Sequence, residues 1–445
     1  MTSHSPSITD DFKRTPYWWD KTPLPASSRV RPPSTTDVLI VGAGLSGLMV
    51  GLHLARAGVD VTIVDAGVAG EFASTRNFGA IGRTIRLSFS ELAKKYNLEF
   101  ATRVYSEAKD WTNYTANFIQ RENIACRFER AGRVVAAHSL AAYDASAREL
   151  EIMQQNLDVD THMLDRNQQR HELGSDVYHG CAVYGDVGHL DPSMYHGSVY
   201  RLAIAAGVNI YDKTTVRDIQ KLHDTAGSKY RVVLNNGEIL ADRVVVATNA
   251  ETPNNSAIFK YFHRRTLPLG VYSAVSAPLE PEIMQRVFPK GRTVLETRRL
   301  YTGIRPIVGE NRLLVVGQHL KHFKNEESAA DALRLDMSAR YPQLSSMQFS
   351  HVWHGKFCIT FDWLPHMGSH EGVYYLHGLN GAGIPACGYL GYKLAMKILG
   401  QSGSETVFSE RDYPKRFGYT GNAWFMPIIG NWYRGLDRRE AKMAR

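Results

Sequence analysis

The sequence of 445 residues predicts an α/β protein with two domains. One is a Rossmann-like domain assembled from separated stretches of the chain, and the other is an α+β domain built on an antiparallel sheet. Three observations predict this fold class. A glycine-rich turn at 41–47 joins an apolar strand pattern to an apolar helix pattern, and a second such turn lies at 378–383. After a strand predicted at 61–64, the signals of a buried parallel strand return only at 244–246.

The first turn, in TTDVLIVGAGLSG, combines a buried strand with glycines at fixed positions. Residues 38–41 are apolar and mostly β-branched, which is typical of a strand buried on both faces. Gly42 then permits a tight turn, Gly44 lets a ligand approach the backbone, and Gly47 lets the next helix pack closely on the strand. This order of strand, turn and helix predicts a phosphate-binding turn.

The residues after the turn predict dinucleotide binding. A helix predicted at 45–57 begins with Leu45 and Ser46, whose backbone amides and positive dipole end face a phosphate. A second strand, predicted at 61–64, ends at Asp65, in the position of an acid that hydrogen-bonds an adenosine ribose. An acid there disfavours the extra phosphate of NADP and leaves FAD or NAD.

The second glycine turn favours FAD over NAD. An NAD-binding domain normally continues directly into further strand–helix units, whereas here the strands at 244–246 and 373–376 come much later. FAD is longer and touches more of the chain. The first turn is predicted to hold its pyrophosphate and the second to bring a helix N-terminus, which stabilises negative charge, to the flavin. The alternative is a merely flexible turn. The residues predicted to reach FAD from these later strands are Ala247, Thr248, Gly381, Ala382, Gly383 and Ile384.

Several longer stretches carry a family resemblance over nearly the whole chain. The chain resembles the D-amino-acid oxidase and glycine oxidase superfamily of FAD-dependent oxidoreductases, and within it the branch that contains γ-glutamylputrescine oxidase. The stretches are STRNFGAIG at 74–82, GHLDPSMYHG and the following residues at 188–219, RRTLPLGVYSAVSAPL at 264–279, LYTGIRPIVGENRLLVVGQ at 300–318 and WHGKFCITFDWLPHMG at 353–368.

The resemblance implies further contacts to FAD. Val216 falls in the family's adenine-binding segment, and the loop before residue 80 lies beside the phosphates and the flavin. Many relatives attach FAD through a His or Cys, but this loop offers no His, and Cys358 does not align cleanly with a flavin-linked Cys. The expectation is therefore FAD that is bound non-covalently. The loop residues implied in binding are Ser74, Thr75, Arg76, Asn77 and Gly79.

The resemblance also implies a reaction, the oxidation of a C–N bond in an amine or amino acid. Hydride passes to flavin N5, the imine hydrolyses to a carbonyl compound and an amine, and oxygen gives H2O2. An amine with an anionic group is the favoured substrate. The alternatives are a dehydrogenase that passes electrons to a quinone or carrier protein, a flavin monooxygenase and an electron-transfer subunit.

Four residues are candidates for contact with the substrate. Arg305 on a short strand pattern is predicted to anchor an anionic group through its guanidinium fork, the alternative being a structural ion pair with Glu310 or Glu296. Tyr301 is predicted to hydrogen-bond the same group or to pack. The remaining two, Trp353 and His354, precede the turn toward the flavin. They are predicted to line the substrate pocket or, as the alternative, to pack in the hydrophobic core.

Composition narrows the partners and the compartment. The net charge of +8 comes from 52 basic and 44 acidic side chains that are spread along the chain except in the C-terminal YRGLDRREAKMAR. No concentrated basic stripe predicts nucleic-acid binding. Four scattered cysteines without a CxxC pair predict no metal site, and with no secretory signal pattern they favour the cytoplasm. The aromatic and basic C-terminus is predicted to be a surface helix, with a membrane contact as the alternative.

The predicted organisation has an N-terminal arm, two discontinuous domains and a C-terminal tail. The predicted ranges are 1–35 for the arm, 36–90, 188–260 and 350–400 for the FAD-binding domain, 91–187 and 261–349 for the substrate domain, and 401–445 for the tail.

Overall fold

The computed structural model describes residues 5–25, 31–222 and 229–443. The strands, in chain order, are β1 Ile8–Lys13, β2 Thr35–Val41, β3 Val61–Val64, β4 Ala80–Ile81, β5 Arg133–Ala136, β6 Thr161–Leu164, β7 Cys181–Tyr184, β8 Gly188–His189, β9 Asn209–Tyr211, β10 Val216–Lys221, β11 Tyr230–Leu234, β12 Glu238–Val246, β13 Thr266–Ser276, β14 Thr293–Glu296, β15 Gly303–Pro306, β16 Leu313–Gly317, β17 Phe349–Thr360, β18 His366–His370 and β19 Val373–His377. The helices are α1 Trp18–Lys21, α2 Leu45–Arg56, α3 Ala73–Arg76, α4 Phe89–Lys95, α5 Leu98–Arg121, α6 Leu140–Asn156, α7 Pro192–Ala205, α8 Ala257–His263, α9 Pro281–Val287, α10 Glu326–Arg340, α11 Gly383–Ile398 and α12 Met426–Met443.

One sheet has a parallel centre, as predicted. β2 lies between β12 and β3, β9 continues the sheet beyond β3, and all these pairs are parallel. β19 pairs in parallel with the last residues of β12, the strand that also pairs with β2. β3 occupies the predicted range 61–64 and is buried throughout, because its apolar side chains face helices on one side and further core on the other. The predicted assembly of strands from remote parts of the chain is confirmed.

The sequence from about 90 to 121 has one continuous helical pattern, but the structure has two helices there, α4 and α5. The chain breaks at Tyr96 and Asn97, where the Asn97 side chain accepts a hydrogen bond from the backbone N–H of Phe100 at 2.8 Å and caps α5. α5 packs on α11 within one core that includes Trp111 and Leu390, and its Tyr114 is hydrogen-bonded to His53 of α2 at 2.7 Å. The segment from 91 to about 125 therefore packs with the parallel sheet, although its predicted place was the substrate domain.

The second sheet has nine strands in the order β1-β17-β13-β16-β15-β14-β5-β7-β6. Its longest ladder joins β13 to β17 in antiparallel register from Thr266 opposite Thr360 to Ser276 opposite Phe349. β17 thus belongs to this sheet, whereas the predicted boundary at 350 put it with the FAD-binding domain. Part of the predicted N-terminal arm is ordered as β1 on the edge of the same sheet, and its residues 1–4 and 26–30 lie outside the described residues.

A buried carboxylate holds the loop that follows β14. Glu296 accepts hydrogen bonds from Arg340 at 2.9 and 3.0 Å and from the backbone N–H of Thr302 at 3.0 Å, and it also pairs with Arg298. Burial acts to raise the pKa of Glu296, but the two arginines and the amide outweigh it and lower the pKa below the ordinary value. The loop between Glu296 and Thr302 is fixed at both ends by this one side chain.

We expect Glu296→Gln to destabilise the fold by about 3 kcal/mol at pH 7, because it removes the counter-charge of Arg298 and leaves Arg340 with that of Asp336 alone. The folded-state pKa is lowered, so the stability from ionisation is complete above the pKa of an unfolded glutamate and is lost as pH falls through the lower folded-state value. Thermal unfolding from pH 7 down to pH 3 should show the difference between the two proteins shrinking. Glu151→Gln, at an exposed site, is the control. A difference that is independent of pH would contradict a role of the charge.

Candidate active site

A cleft lies at the carboxyl ends of β2, β3 and β12, where the two sheets meet, and it is lined by both glycine turns. It encloses about 1600 Å³, part of it open to solvent. We call it the cofactor cleft. The predicted cofactor-binding residues that line it are Gly42, Gly44, Leu45, Ser46, Asp65, Ser74, Asn77, Gly79, Val216, Ala247, Thr248, Gly381, Gly383 and Ile384.

The geometry of the first turn explains why it requires glycines. Gly42 has a φ of +112°, and a Cβ there would lie 3.0 Å from the carbonyl oxygen of Ala247. A Cβ on Gly47 would lie 1.9 Å from the carbonyl oxygen of Gly42. Gly47 therefore acts in helix–strand packing and does not line the cleft. At the start of α2 the backbone N–H of Leu45 donates to Ser74 Oγ at 2.9 Å, which ties the turn to the next loop.

Asp65 stands at the end of β3, in the position predicted for a ribose contact. Its Oδ2 accepts a hydrogen bond from the N–H of Ala43 at 2.7 Å, and its Oδ1 accepts one from the N–H of Gly67 at 2.9 Å. Burial raises the pKa of Asp65 above its ordinary value, although the two amides act in the opposite direction. The carboxylate is fixed by backbone alone and lines the cofactor cleft.

The loop that contains α3 divides into residues that line the cleft and residues that hold the loop. Asn77 Oδ1 accepts a hydrogen bond from the N–H of Gly79 at 2.8 Å, so the cleft-facing turn is internally braced. Thr75 Oγ1 donates to the carbonyl oxygen of Gly70 at 2.7 Å. Arg76 donates to the carbonyl oxygens of Glu71 and His354 at 2.7 and 3.1 Å and stacks on Trp19. The side chains of Thr75 and Arg76 thus tether the loop, although both were predicted to bind FAD.

The second glycine turn opens α11 toward the cleft. No side chain among the described residues caps α11, whose N-cap residue is Ala382. A Cβ on Gly381 or Gly383 would have nothing within 4 Å, so both glycines border open space. Asn380 Oδ1 accepts a hydrogen bond from the N–H of Thr360 at 3.0 Å and joins the turn to β17. Of the predicted turn residues, Ala382 is buried and does not line the cleft.

These features fit FAD. The cleft runs from the glycine turn at the N-terminus of α2 to the open glycines at the N-terminus of α11. Asp65, at the end of β3, lines it in the position of a ribose contact. The residues that would hold the pyrophosphate belong to the first turn, and those that would face the flavin belong to the second.

A second cavity adjoins the cofactor cleft at Phe357, which lines both. It encloses about 1550 Å³, again partly open to solvent. Its walls come from β13, from the loop before β15, from the end of β17 and from the C-terminal segment, and they are mainly apolar and aromatic. Among the described residues, no aspartate or glutamate lines it.

One arginine of this cavity has no ion-pair or hydrogen-bond partner among the described residues. The guanidinium of Arg86 lies 5.4 Å from the centre of the Phe357 ring, and its Nε is buried without a hydrogen bond. Arg299, which also lines the cavity, is in contrast paired with Asp437 and Glu440 at 2.8 and 2.7 Å. Arg86 is therefore a positive charge that is held at the junction of the two cavities and is free to meet an anion.

Tyr301 and His319 lie together in the second cavity, with ring centres 4.9 Å apart. Burial lowers the pKa of His319 to about 3, and the charge of Arg86 acts in the same direction. The imidazole is therefore neutral at physiological pH. Tyr301 is placed where its predicted contact with a substrate is possible.

The other three predicted substrate contacts lie outside the lining of both cavities. The guanidinium of Arg305 donates to the carbonyl oxygens of Phe78, Leu190 and Pro306 at 2.8, 3.0 and 3.1 Å and is buried. Anchoring a substrate does not fit these surroundings, and the ion pairs suggested as the alternative are replaced by carbonyl contacts.

Trp353 is buried in a cluster with Trp18, and its Nε1 donates to the carbonyl oxygen of Arg76 at 3.1 Å. His354 packs against Tyr272, with ring centres 5.0 Å apart. Trp353 therefore lies in the hydrophobic core, in agreement with the alternative role that the sequence left open, whereas His354 is only partly buried.

Cys358 lines the cofactor cleft, next to Phe357. Burial raises the pKa of its thiol to about 12, although hydrogen bonds from neighbouring groups act against this. A protonated thiol is a weak nucleophile. This environment supports the expectation of FAD that is bound without a covalent link.

Sequence reasoning missed most of the second cavity. Phe357 lies in a stretch that carried only the family resemblance, Arg86 lies outside all of those stretches, and the C-terminal segment was predicted to be a tail. The available signal was the aromatic run WFMPIIGNWY, whose four-residue spacing places Phe425, Met426, Ile429 and Tyr433 on the face that lines the cavity.

Comparisons of the sequence with known proteins found a matching family and similar proteins. A family model described as DAO, FAD-dependent oxidoreductase, matches residues 37–396. Gamma-glutamylputrescine oxidoreductase of Escherichia coli K12 is 26% identical over 411 residues, which cover 91% of this chain and 93% of that protein.

Solved structures of low sequence identity share the fold. Glycine oxidase from Geobacillus kaustophilus has a TM-score of 0.70 at 20% identity, and the match covers 86% of this chain and 99% of that one. L-amino acid deaminase from Proteus vulgaris, with its specific insertion deleted, has a TM-score of 0.67 at 17% identity and covers 87% and 96%. The predicted resemblance and fold class are confirmed. No helix in the described part of the chain is both long and apolar enough to cross a membrane.

Proposed function

The chain belongs to the family of FAD-dependent oxidoreductases of the D-amino-acid oxidase type, and from that premise we propose that it oxidises a C–N bond in an amine or amino acid that carries an anionic group. When bound, FAD supplies the acceptor for the two electrons. The proposed products are an imine, which water converts to a carbonyl compound and an amine, and H2O2 from oxygen.

The observation that carries the proposal is the junction of the two cavities. The second cavity opens onto the cofactor cleft at Phe357 and holds the unpaired guanidinium of Arg86 within reach of that junction. A guanidinium fork binds a carboxylate through two parallel hydrogen bonds. A substrate with a carboxylate on Arg86 would extend from there along the junction, with its amine end toward the cleft.

The absence of acidic groups from the described lining defines the state of the amine. A protonated amine would need a carboxylate in this apolar cavity, because burying an unpaired charge is costly. The lining offers none among the described residues, so the cavity favours the neutral amine, whose α-carbon is the better hydride donor. His319 is held neutral and adds no charge. The protein orients the substrate and excludes water, and these effects alone lower such barriers by several kcal/mol.

The relatives support the same substrate class. The Escherichia coli relative is named for γ-glutamylputrescine, which has an amine and a carboxylate on one chain, and the glycine oxidase and L-amino acid deaminase are named for amino acids. Oxygen is the proposed electron acceptor, and a quinone or carrier protein is the competing acceptor. The identity of the individual amine is the part of the proposal that needs a direct experiment.

We expect amines with a carboxylate to bleach the flavin absorbance of the purified protein in the absence of oxygen. The panel should pair each amino acid with the amine of equal length that lacks the carboxylate, so that the anion is the only difference. Rapid recolouring when air is admitted identifies oxygen as the acceptor, and slow recolouring that a quinone accelerates identifies a dehydrogenase. A flavin that dithionite reduces and no amine bleaches would contradict the proposed reaction.

A further inference from the structure

The C-terminal segment presents large apolar side chains to solvent. Phe417 is 108% exposed, Trp424 71%, Ile428 63% and Trp432 60% relative to an extended reference. We call these four residues the aromatic surface. Single exposed apolar residues are ordinary on proteins, but several large ones within one short segment are a candidate interaction site.

The helix α12 has two different apolar faces. Ile428 and Trp432 lie one turn apart on one face of α12, which is turned to solvent, and Trp424 lies just before the helix. The neighbouring face, about 100° around the helix, carries Ile429 and Tyr433, which line the second cavity. The inner face accounts for the packing of the helix on the body of the protein, and the outer face is left without a partner in the described chain.

Charge is separated across the same helix. Asp437 is buried and pairs with Arg299 at 2.8 Å, and Glu440 pairs with Arg299 at 2.7 Å, so both acids are directed inward. Arg438 and Arg439 are exposed. Between residues 426 and 439 the exposed positions of α12 include no acid.

In the loop that carries Phe417, the exposed basic residues Arg411, Lys415 and Arg416 outnumber the exposed acids Glu410 and Asp412. A neighbouring cleft is lined by Lys260 and Arg264 together with this loop. No acid among the described residues lines that cleft. Aromatic side chains and an excess of positive charge thus occur together in the C-terminal segment and in the cleft that its loop lines.

We propose that the aromatic surface docks the protein on the surface of a bilayer that contains anionic lipid, with the mouth of the second cavity at the membrane. Tryptophan and phenylalanine enter the headgroup region while arginine and lysine stay at the phosphates, which is the chemistry of an interfacial helix. Each basic residue near such a surface adds attraction. The cavity mouth takes part because Phe417 and Trp424 belong to its lining.

A second copy of the chain fits this surface less well. In a two-fold dimer the same patch would face itself, so the basic residues around Phe417 and on α12 would meet basic residues. Such an approach is repulsive, whereas an anionic bilayer supplies the missing negative charge.

The test is co-sedimentation of the FAD-loaded protein with vesicles. We expect binding to vesicles of equal parts phosphatidylglycerol and phosphatidylcholine, little binding to phosphatidylcholine alone, and weaker binding at high salt. The double variant Ile428→Ser/Trp432→Ser, which alters no cavity-lining residue, should bind at least about tenfold more weakly because it loses two insertable side chains. Arg438→Glu/Arg439→Glu should lower binding by a similar factor.

Matched controls separate insertion from a general loss of apolar or basic surface. Leu140→Ser/Leu335→Ser removes two leucines that are 60% and 65% exposed elsewhere, and Arg130→Glu/Lys290→Glu reverses two exposed charges elsewhere. All variants should keep their flavin absorbance and melting temperature. The proposal is overturned if anionic vesicles do not sediment the protein or if the controls weaken binding as much as the test variants. It is also overturned if Ile428→Ser/Trp432→Ser abolishes a dimer in solution without any lipid binding.

Discussion

Replacing Arg86 with alanine is expected to raise the Kd of a carboxylate-bearing amine by about a hundredfold. Two charge-assisted hydrogen bonds to one carboxylate account for a change of this size. The Kd of the matching amine without the carboxylate should stay within about threefold, since that substrate makes no use of the charge. The measurement is a titration of flavin bleaching without oxygen, for each member of the pair.

The controls for Arg86 use the same cavity. Arg416→Ala removes another arginine of the lining, one that is exposed to solvent, and should change both Kd values little. Arg86→Lys keeps the charge but loses the fork and should recover part of the affinity. An Arg86→Ala protein with normal flavin content and an unchanged preference for the carboxylate would show that the anion binds elsewhere. If no member of the pair bleaches even the unaltered protein, the proposed reaction itself is wrong.

The contrast between Arg86 and Arg305 shows what sequence reasoning could reach. Arg305 stands on a clear apolar strand pattern, which made it conspicuous, but its three partners are carbonyl oxygens of Phe78, Leu190 and Pro306. Two of these residues are far away in sequence, and carbonyl partners leave no side-chain signature. Arg86 lies in an irregular loop without periodicity, so only the folded chain shows that it has no partner.

Local chemistry was predictable where one short stretch determines it. The turn at Gly42, the strand at 61–64 and the acid at Asp65 follow from sterics and periodicity within a single unit, and the structure has them at those positions. The helix break at Asn97 and the sheet to which β17 belongs could not be predicted in this way, because the local sequence is compatible with more than one arrangement. The helical pattern is continuous through Asn97, and the break between α4 and α5 is visible only in the structure, where the Asn97 side chain caps α5. The assignment of β17 to the second sheet required knowledge of its partner, β13.

Replacing Gly47 with alanine is expected to destabilise the protein by about 3 kcal/mol or more and to abolish most FAD binding. The added Cβ would lie 1.9 Å from the carbonyl oxygen of Gly42 and 3.2 Å from Ile40, and the first of these atoms is backbone that cannot rotate away. Either α2 moves off β2 or the glycine turn opens, and both disturb the amides that would hold the pyrophosphate. The measurements are the flavin absorbance per protein after gel filtration and the melting temperature with and without added FAD.

A matched change at Gly197 tests whether the effect comes from the contact and not from any glycine in a helix. Gly197 is a buried helix residue of α7, and a Cβ there would meet no atom closer than 3.5 Å, the end of the Arg201 side chain. Gly197→Ala should therefore keep its flavin and gain up to about 1 kcal/mol, because alanine restricts the unfolded chain. A Gly47→Ala protein with full flavin content and an unchanged melting temperature would show that α2 and β2 can separate at little cost. The close packing of turn, helix and strand would then not be what shapes the cofactor cleft.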